Sequence, residues 1–227
     1  MHVFKKLLGL FTLVLACGLL TGCFDLLEDI NIKNDGSGTI KATLNLSKSS
    51  TQVASLMKLK SVNGIKIPTS DDIKSETEAM IRILKSTKGI SNVQYQLDFT
   101  NYIASVSCNF TSIDALNAFS KAVSTHFKST LGENNNYSYN PHAGKFTRSY
   151  TYSPTIGKEY AKISQTDKKL FDEAYYTQII RFEKTIKSQK HTQAKISSNS
   201  KAIFLKLKAT ELVNGNASLA NTIILNN

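Results

Sequence analysis

Asp29-Ile30-Asn31-Ile32-Lys33 leads into Asn34-Asp35-Gly36-Ser37-Gly38 and out again through Thr39-Ile40-Lys41-Ala42-Thr43-Leu44-Asn45-Leu46. Apolar and polar residues alternate on both arms, which is the period of a strand with one face buried, and the five residues between the arms are turn formers. The stretch reads as a β-hairpin. Its glycines do not make a phosphate-cradling loop, because no helix begins behind them and no Lys-Ser/Thr pair follows.

Helical and strand periods alternate further along the chain, without an internal repeat. Val53, Leu56 and Met57 suggest a short helix, which a break between Gly64 and Pro68 ends. Asp71 to Lys85 then reads as a longer helix with Ser70 as its cap: Asp71 and Asp72 lie at its positive end, and Ile73, Thr77, Met80, Ile81 and Leu84 share one face. Val93, Tyr95, Leu97 and Phe99 alternate with polar residues, turn at Thr100-Asn101 and return as Tyr102-x-Ala104-x-Val106-x-Cys108-x-Phe110, a second hairpin with Cys108 in its core. Ser112 caps a helix whose apolar face is Ile113, Leu116, Phe119, Val123 and Phe127. Residues 134–140 and 145–152 form a third hairpin, dense in tyrosine, and Thr166 caps a short helix through Phe171. Strands are predicted near 175–186, 202–207 and 218–225, with Ile203, Leu205 and Leu207 facing inward. The expected fold is α+β: a mainly antiparallel sheet built from hairpins and packed against two or three amphipathic helices. It forms one domain over 29–227 with a basic, β-rich part from about 145.

Nearer the start of the chain, Lys5 and Lys6 precede an apolar run from Leu7 to Leu20, and Leu20-Thr21-Gly22-Cys23 follows. A basic start, a short apolar stretch and small residues at the end describe a secretory signal over 1–22, too short to span a bilayer comfortably. Cleavage falls between Gly22 and Cys23. The last four residues resemble the lipobox of bacterial lipoproteins, which implies that Cys23 carries a lipid and that residues 23–28 are a lipidated N-terminus attached to a membrane. Cys17, after Val14-Leu15-Ala16, is a poorer match that leaves too short an apolar segment. Phe24 stands where an aspartate would suggest inner-membrane retention, and Asp25 comes one place too late, so a cell with two membranes is expected to place this chain at the outer one. The first hairpin starts only a few residues after Cys23, leaving almost no spacer, so the fold is expected close to the bilayer.

Composition narrows the function classes. A hydrophobic content of 41% belongs to a globular chain. With Cys23 acylated, Cys108 has no partner for an internal disulfide. The formal net charge of +11 is uneven: fourteen basic and five acidic residues lie between Lys145 and Lys208. Such a surface suits anionic headgroups or an acidic polymer, or serves as a solvated face; nucleic acid is not expected as a partner of an exported, tethered domain.

No catalytic signature stands out. His126, His142 and His191 are isolated, and no HExxH, CxxC, G-x-S-x-G or P-loop pattern occurs, so no metal, cofactor or catalytic residue is assigned. Ser-x-x-Lys occurs at Ser55 to Lys58 and at Ser198 to Lys201, but the Lys-Thr-Gly strand of penicillin-binding enzymes is missing. Glu76/Glu78 and Asp172/Glu173 read as solvated helix faces. The residues that could form a ligand surface are Tyr137, Tyr139, Arg148, Tyr150 and Tyr152, where aromatic rings flank a cation.

The lipobox, the hairpin around Asn34-Asp35-Gly36-Ser37-Gly38 and the closing β-segments resemble bacterial lipoproteins of the LppM-like group. That resemblance implies a curved sheet packed on helices and binding of a lipid or glycolipid. Many members also carry a C-terminal membrane helix, and no apolar segment of that kind follows Cys23 here. The expectation is therefore a non-enzymatic, membrane-anchored envelope lipoprotein whose domain binds a lipid or glycan. The alternatives are an interaction protein that recruits an envelope partner, and a hydrolase whose site sequence does not reveal.

Overall fold

In the opening hairpin Ile30 lies opposite Ile40 and Ile32 opposite Gly38, and all three isoleucines are buried. The computed structural model describes residues 24–62, 65–126, 135–162, 164–168 and 171–226. Its strands in chain order are β1 (Asp25–Ile32), β2 (Gly38–Asn45), β3 (Ser61–Val62), β4 (Ile65–Lys66), β5 (Ile90–Asp98), β6 (Ile103–Phe110), β7 (Asn135–Asn140), β8 (Lys145–Tyr150), β9 (Tyr175–Phe182), β10 (Ile186–Gln189), β11 (Lys195–Ile196), β12 (Ala202–Lys208) and β13 (Asn221–Leu225). Helices span Ser50–Leu56, Ser70–Ser86, Ile113–His126, Pro154–Lys162, Gln165–Lys168 and Ala209–Val213.

The strands form two main layers. A seven-stranded sheet runs in the order β11-β12-β9-β1-β2-β6-β5, and a four-stranded sheet in the order β10-β13-β8-β7. The fold is thus α+β, and strand pairs in both sheets are antiparallel except β1 with β9, which is parallel. One face of the large sheet is covered twice over. The Ser70–Ser86 and Ile113–His126 helices lie over its β5–β6 end, and the small sheet lies over β1 and β9, with Phe146 of β8 meeting Phe182 of β9 at a ring distance of 5.5 Å. Period-2 alternation puts Ile30, Ile32, Ile40, Cys108, Ile180, Phe182, Ile203, Leu205 and Leu207 into that layer, all buried.

Local chemistry moves several predicted boundaries. β1 begins at Asp25, ahead of the predicted Asp29, because it is paired on both sides from its first residue. The long helix is capped by Thr69, not Ser70: Thr69 Oγ1 accepts from Asp72 N at 3.1 Å, and Asp72 Oδ2 accepts from Thr69 N at 2.9 Å. This reciprocal pair satisfies two end donors. Ser112 does cap its helix, accepting from Ala115 N at 3.2 Å. Thr166 lies inside the Gln165–Lys168 helix, not ahead of it.

The strand predicted near 175–186 is two strands. β9 ends at Phe182, and β10 leaves to pair with β13 in the other sheet. The helices Pro154–Lys162 and Ala209–Val213 were not expected; proline as the first helical residue is the signal that marks the former. Residues 1–23, including Cys17, Gly22 and Cys23, and Phe127 lie outside the described residues.

Candidate functional site

Glu28 and Gln178 break the apolar alternation of the large sheet. They occupy inward positions of β1 and β9 and are register partners across the parallel pair. On the facing sheet, Tyr137 of β7 and Arg148 of β8 are also register partners, and both point into the interlayer space. The four residues and Tyr176 make one network. Arg148 Nη1 lies 3.2 Å from Glu28 Oε2 and donates to Tyr176 Oη at 2.7 Å. Tyr137 Oη donates to Glu28 Oε1 at 3.0 Å, Gln178 Nε2 donates to Glu28 Oε2 at 2.8 Å, and Tyr176 Oη donates to the same oxygen. The guanidinium carbon sits 5.4 Å from the Tyr137 ring centre and 5.5 Å from that of Tyr176.

A charge pair in this position is costly unless every lone pair and proton is used, and here the carboxylate is served by four residues. Burial works against the charge on Arg148, but Tyr137, Tyr176 and Glu28 outweigh it and hold the guanidinium above its ordinary range. Burial pushes the Tyr176 hydroxyl well above the usual phenol value. The edge strand that presents Tyr137 is fixed from outside. Asn117 on the Ile113–His126 helix donates to Tyr137 O at 2.9 Å and accepts from Tyr137 N at 2.8 Å, so one amide side chain supplies the pairing that an edge strand otherwise lacks.

Beside this network lies a cavity of about 460 Å³. Its floor includes Glu28, Arg148 and Tyr176; its walls are mainly apolar, with Leu26, Ile40 and Ala42 from the sheet, Phe119 and Val123 from the helix, and Leu212 and Leu219 opposite. Phe24 and Phe171 join the lining where β1 and β9 begin, and their rings meet edge-on at 5.4 Å. The volume falls within the ~300–1,000 Å³ of typical ligand sites, which combine apolar walls with a few placed polar groups. A smaller hollow of about 140 Å³, lined by Leu44, Val53, Met57, Ile73, Leu97 and Phe99 among others, lies under the Ser50–Leu56 helix.

The polar residues of the large cavity are Glu28, Arg148, Tyr175, Tyr176, Ser120 and Ser124. Ser120 Oγ donates to Leu116 O at 3.2 Å within its own helix, and no histidine or cysteine is among the lining residues. Among the described residues no group of three or more His, Cys, Asp or Glu is placed to hold a metal ion, and no helix is long and apolar enough to cross a membrane. The histidines are scattered: His126 Nε2 lies 3.3 Å from Glu76 Oε2, His142 is in the β7–β8 turn, and His191 Nε2 is 2.9 Å from Ser218 O.

The five residues expected as a ligand surface do not form one exposed patch. Arg148 and Tyr137 are buried, with relative exposures of 2% and 3%, because the small sheet packs that face of the third hairpin onto the large one. Tyr139 packs near Phe146 at a ring distance of 6.5 Å, and Tyr150 packs against the core. Tyr152 Oη donates to Val213 O at 3.0 Å, tying the end of the hairpin to the Ala209–Val213 helix. Of the five, only Arg148 lines the cavity. The residues that sequence reading missed are Glu28, Tyr176, Gln178, Asn117 and Phe24. A signal for two of them was available: Leu26-x-Glu28-x-Ile30-x-Ile32 and Tyr176-x-Gln178-x-Ile180-x-Phe182 each place one polar residue on an otherwise inward apolar row.

The chain matches no protein-family model and no curated protein. Among solved structures it is similar to the folded domain of LppM from Mycobacterium tuberculosis, determined by NMR, with a TM-score of 0.45 and 13% sequence identity over 91% of this chain and 93% of that one.

Proposed function

We propose that this protein is a membrane-anchored envelope lipoprotein whose domain holds a lipid without chemically changing it, taking an acyl tail into the cavity between the large sheet and the Ile113–His126 and Ala209–Val213 helices. The observation that carries this reading is the cavity itself: about 460 Å³ of mainly apolar space over one neutralised Arg148–Glu28 pair. Apolar walls favour a tail over a glycan, whose hydroxyls need polar partners along their whole length. The lipobox ending at Cys23 supports the anchor.

The surroundings of the cavity suit an anionic headgroup. Lys206 Nζ lies 4.0 Å from the ring centre of Tyr175, and Lys168 Nζ lies 5.4 Å from that of Tyr160, whose ring stacks edge-on with Phe171. Lys208 precedes Ala209, a lining residue, and is exposed. Lysines near the surface of an anionic leaflet each contribute about 1 kcal/mol.

The test is native mass spectrometry of the Cys23→Ser chain, which cannot be acylated, after incubation with a dipalmitoyl phospholipid. One retained lipid per chain is expected, and its loss in Ala42→Trp, which fills the cavity from the sheet side. A chain that retains no lipid overturns the reading. A protein partner is the second reading. It is favoured by Phe204 and Ile196, 42% and 40% exposed at the β11–β12 edge. Salt-sensitive capture of one defined envelope protein, lost in Phe204→Ser, would support it.

A further inference from the structure

The residue that follows Cys23, Phe24, is itself part of the cavity wall. It is held there: Phe24 O accepts from Tyr175 N at 2.9 Å, and its ring meets that of Phe171. From Asp25 onward β1 is paired on both sides, antiparallel with β2 and parallel with β9. Consecutive Cα atoms are ~3.8 Å apart, so residue 23 is joined to the lining with no spacer.

We infer that the cavity receives one acyl chain of the protein's own N-terminal lipid, folded back from Cys23, and that a ligand enters by displacing it. This rests on the reading that Cys23 is lipidated and that the cavity accepts an acyl tail. Three features point to this occupant over a free lipid. Attachment at residue 23 removes the translational cost of bringing a tail to the site and gives it a high effective concentration there. The cavity is of the order of a single acyl chain in volume, whereas the modification carries two or three. Stable anchoring needs only two chains, so one can leave the bilayer in a triacylated protein without releasing it. A filled cavity also restores the dispersion contacts that its lining residues otherwise lack.

The physical consequence differs between phases. In a bilayer every acyl methylene is already out of water, so the cavity and the leaflet compete on nearly equal terms. In water each methylene gains on burial, so withdrawal of the protein from its membrane drives the chain into the cavity. The fold would then shield part of its own anchor, and the same site would open to other lipids once the anchor is back in a leaflet.

The experiment uses the acylated full chain from cells fed a diazirine-bearing palmitate, so that the photoreactive group is built into the lipid on Cys23. The protein is purified in mild detergent, its intact mass is recorded, and it is irradiated and mapped by peptide mass spectrometry. Crosslinks from the N-terminal peptide to Phe119, Val123 or Leu212 of the same chain are expected, and their loss in Ala42→Trp with the Cys23 lipid mass unchanged. A lipidated chain whose crosslinks go only to detergent overturns self-capture, as does an intact mass without lipid on Cys23. Uptake of phospholipid by Cys23→Ser separates the two failures: with uptake, only self-capture is lost; without it, lipid binding is lost as well.

Discussion

Arg148 and Glu28 belong to different sheets, yet Nη1 of one lies 3.2 Å from Oε2 of the other, and this pair is the polar bolt between the layers. Taking either partner away strands a charge among Tyr137, Tyr176 and Gln178 with little access to water. Breaking such a pair costs ~3–5 kcal/mol, whereas replacing both charges with packed apolar groups is often neutral. Arg148→Met and Glu28→Met are each expected to lose that amount in urea unfolding, and the double variant to recover most of it. A double variant as unstable as the sum of the singles would show that the pair is not coupled.

Alkaline pH should loosen the same interior. Burial pushes the Cys108 thiol from 9.0 up to about 12, and burial likewise raises the Tyr176 hydroxyl. Both groups are held protonated in the folded state, and the unfolded chain loses those protons at lower pH. Their stabilising contribution is therefore complete below the unfolded values and declines as pH rises through them toward the folded ones, which for Cys108 is the window from about 9 to about 12. Urea midpoints measured from pH 7 to 11 should fall across this range, and Cys108→Ala should flatten the fall. In the native protein at pH 8, Cys108 should react with a thiol reagent only as fast as the chain unfolds.

Two glycines in the first turn answer to different physics. Gly36 has φ +84°, and a Cβ there would find Tyr139 at 3.5 Å and Ile113 at 3.8 Å, so Gly36→Ala meets backbone strain with only ordinary contacts around it. Gly38 has no room: its Cβ would lie 1.8 Å from Asn31 O and 2.6 Å from the Phe110 ring. Gly36→Ala is expected to cost ~1–2 kcal/mol. Gly38→Ala should exceed the ~1–3 kcal/mol of ordinary overpacking, since the backbone of the opposite strand must move. Equal midpoints for the two variants in thermal unfolding would contradict this account.

That contrast shows how far the sequence could be read. Alternation located the hairpins, and helix periodicity located the buried faces carrying Met80, Ile81, Leu84, Leu116 and Phe119, because each signal is local and repeats over many residues. What stayed hidden was pairing at a distance. Nothing local says that β1 lies parallel to β9, about 150 residues later, or that β10 crosses to the second sheet, and the site depends on both. Arg148 and Tyr137 were legible as chemistry but not as location: the same alternation fits a hairpin whose aromatic face meets solvent or another sheet. Glu28 and Gln178 look like solvent-facing residues until the row they interrupt is known to be inward.

The outer face of β12 offers the last prediction. Its inward residues Ile203, Leu205 and Leu207 are buried, so Phe204, Lys206 and Lys208 face outward, and Lys206 lies over Tyr175 in the cavity lining. If this face meets an anionic leaflet, its lysines act through a field that decays within a Debye length, about 8 Å at physiological salt. The test form is the Cys23→Ser chain, which removes the lipid from the comparison. Its binding to vesicles containing phosphatidylserine should weaken with added salt. Lys206→Glu with Lys208→Glu should weaken it by at least the ~1 kcal/mol per lysine of simple charge removal. Neutral vesicles should not distinguish the variants. Equal loss on neutral and anionic vesicles would mean that the substitutions act through the fold, and circular dichroism of the double variant would then show it.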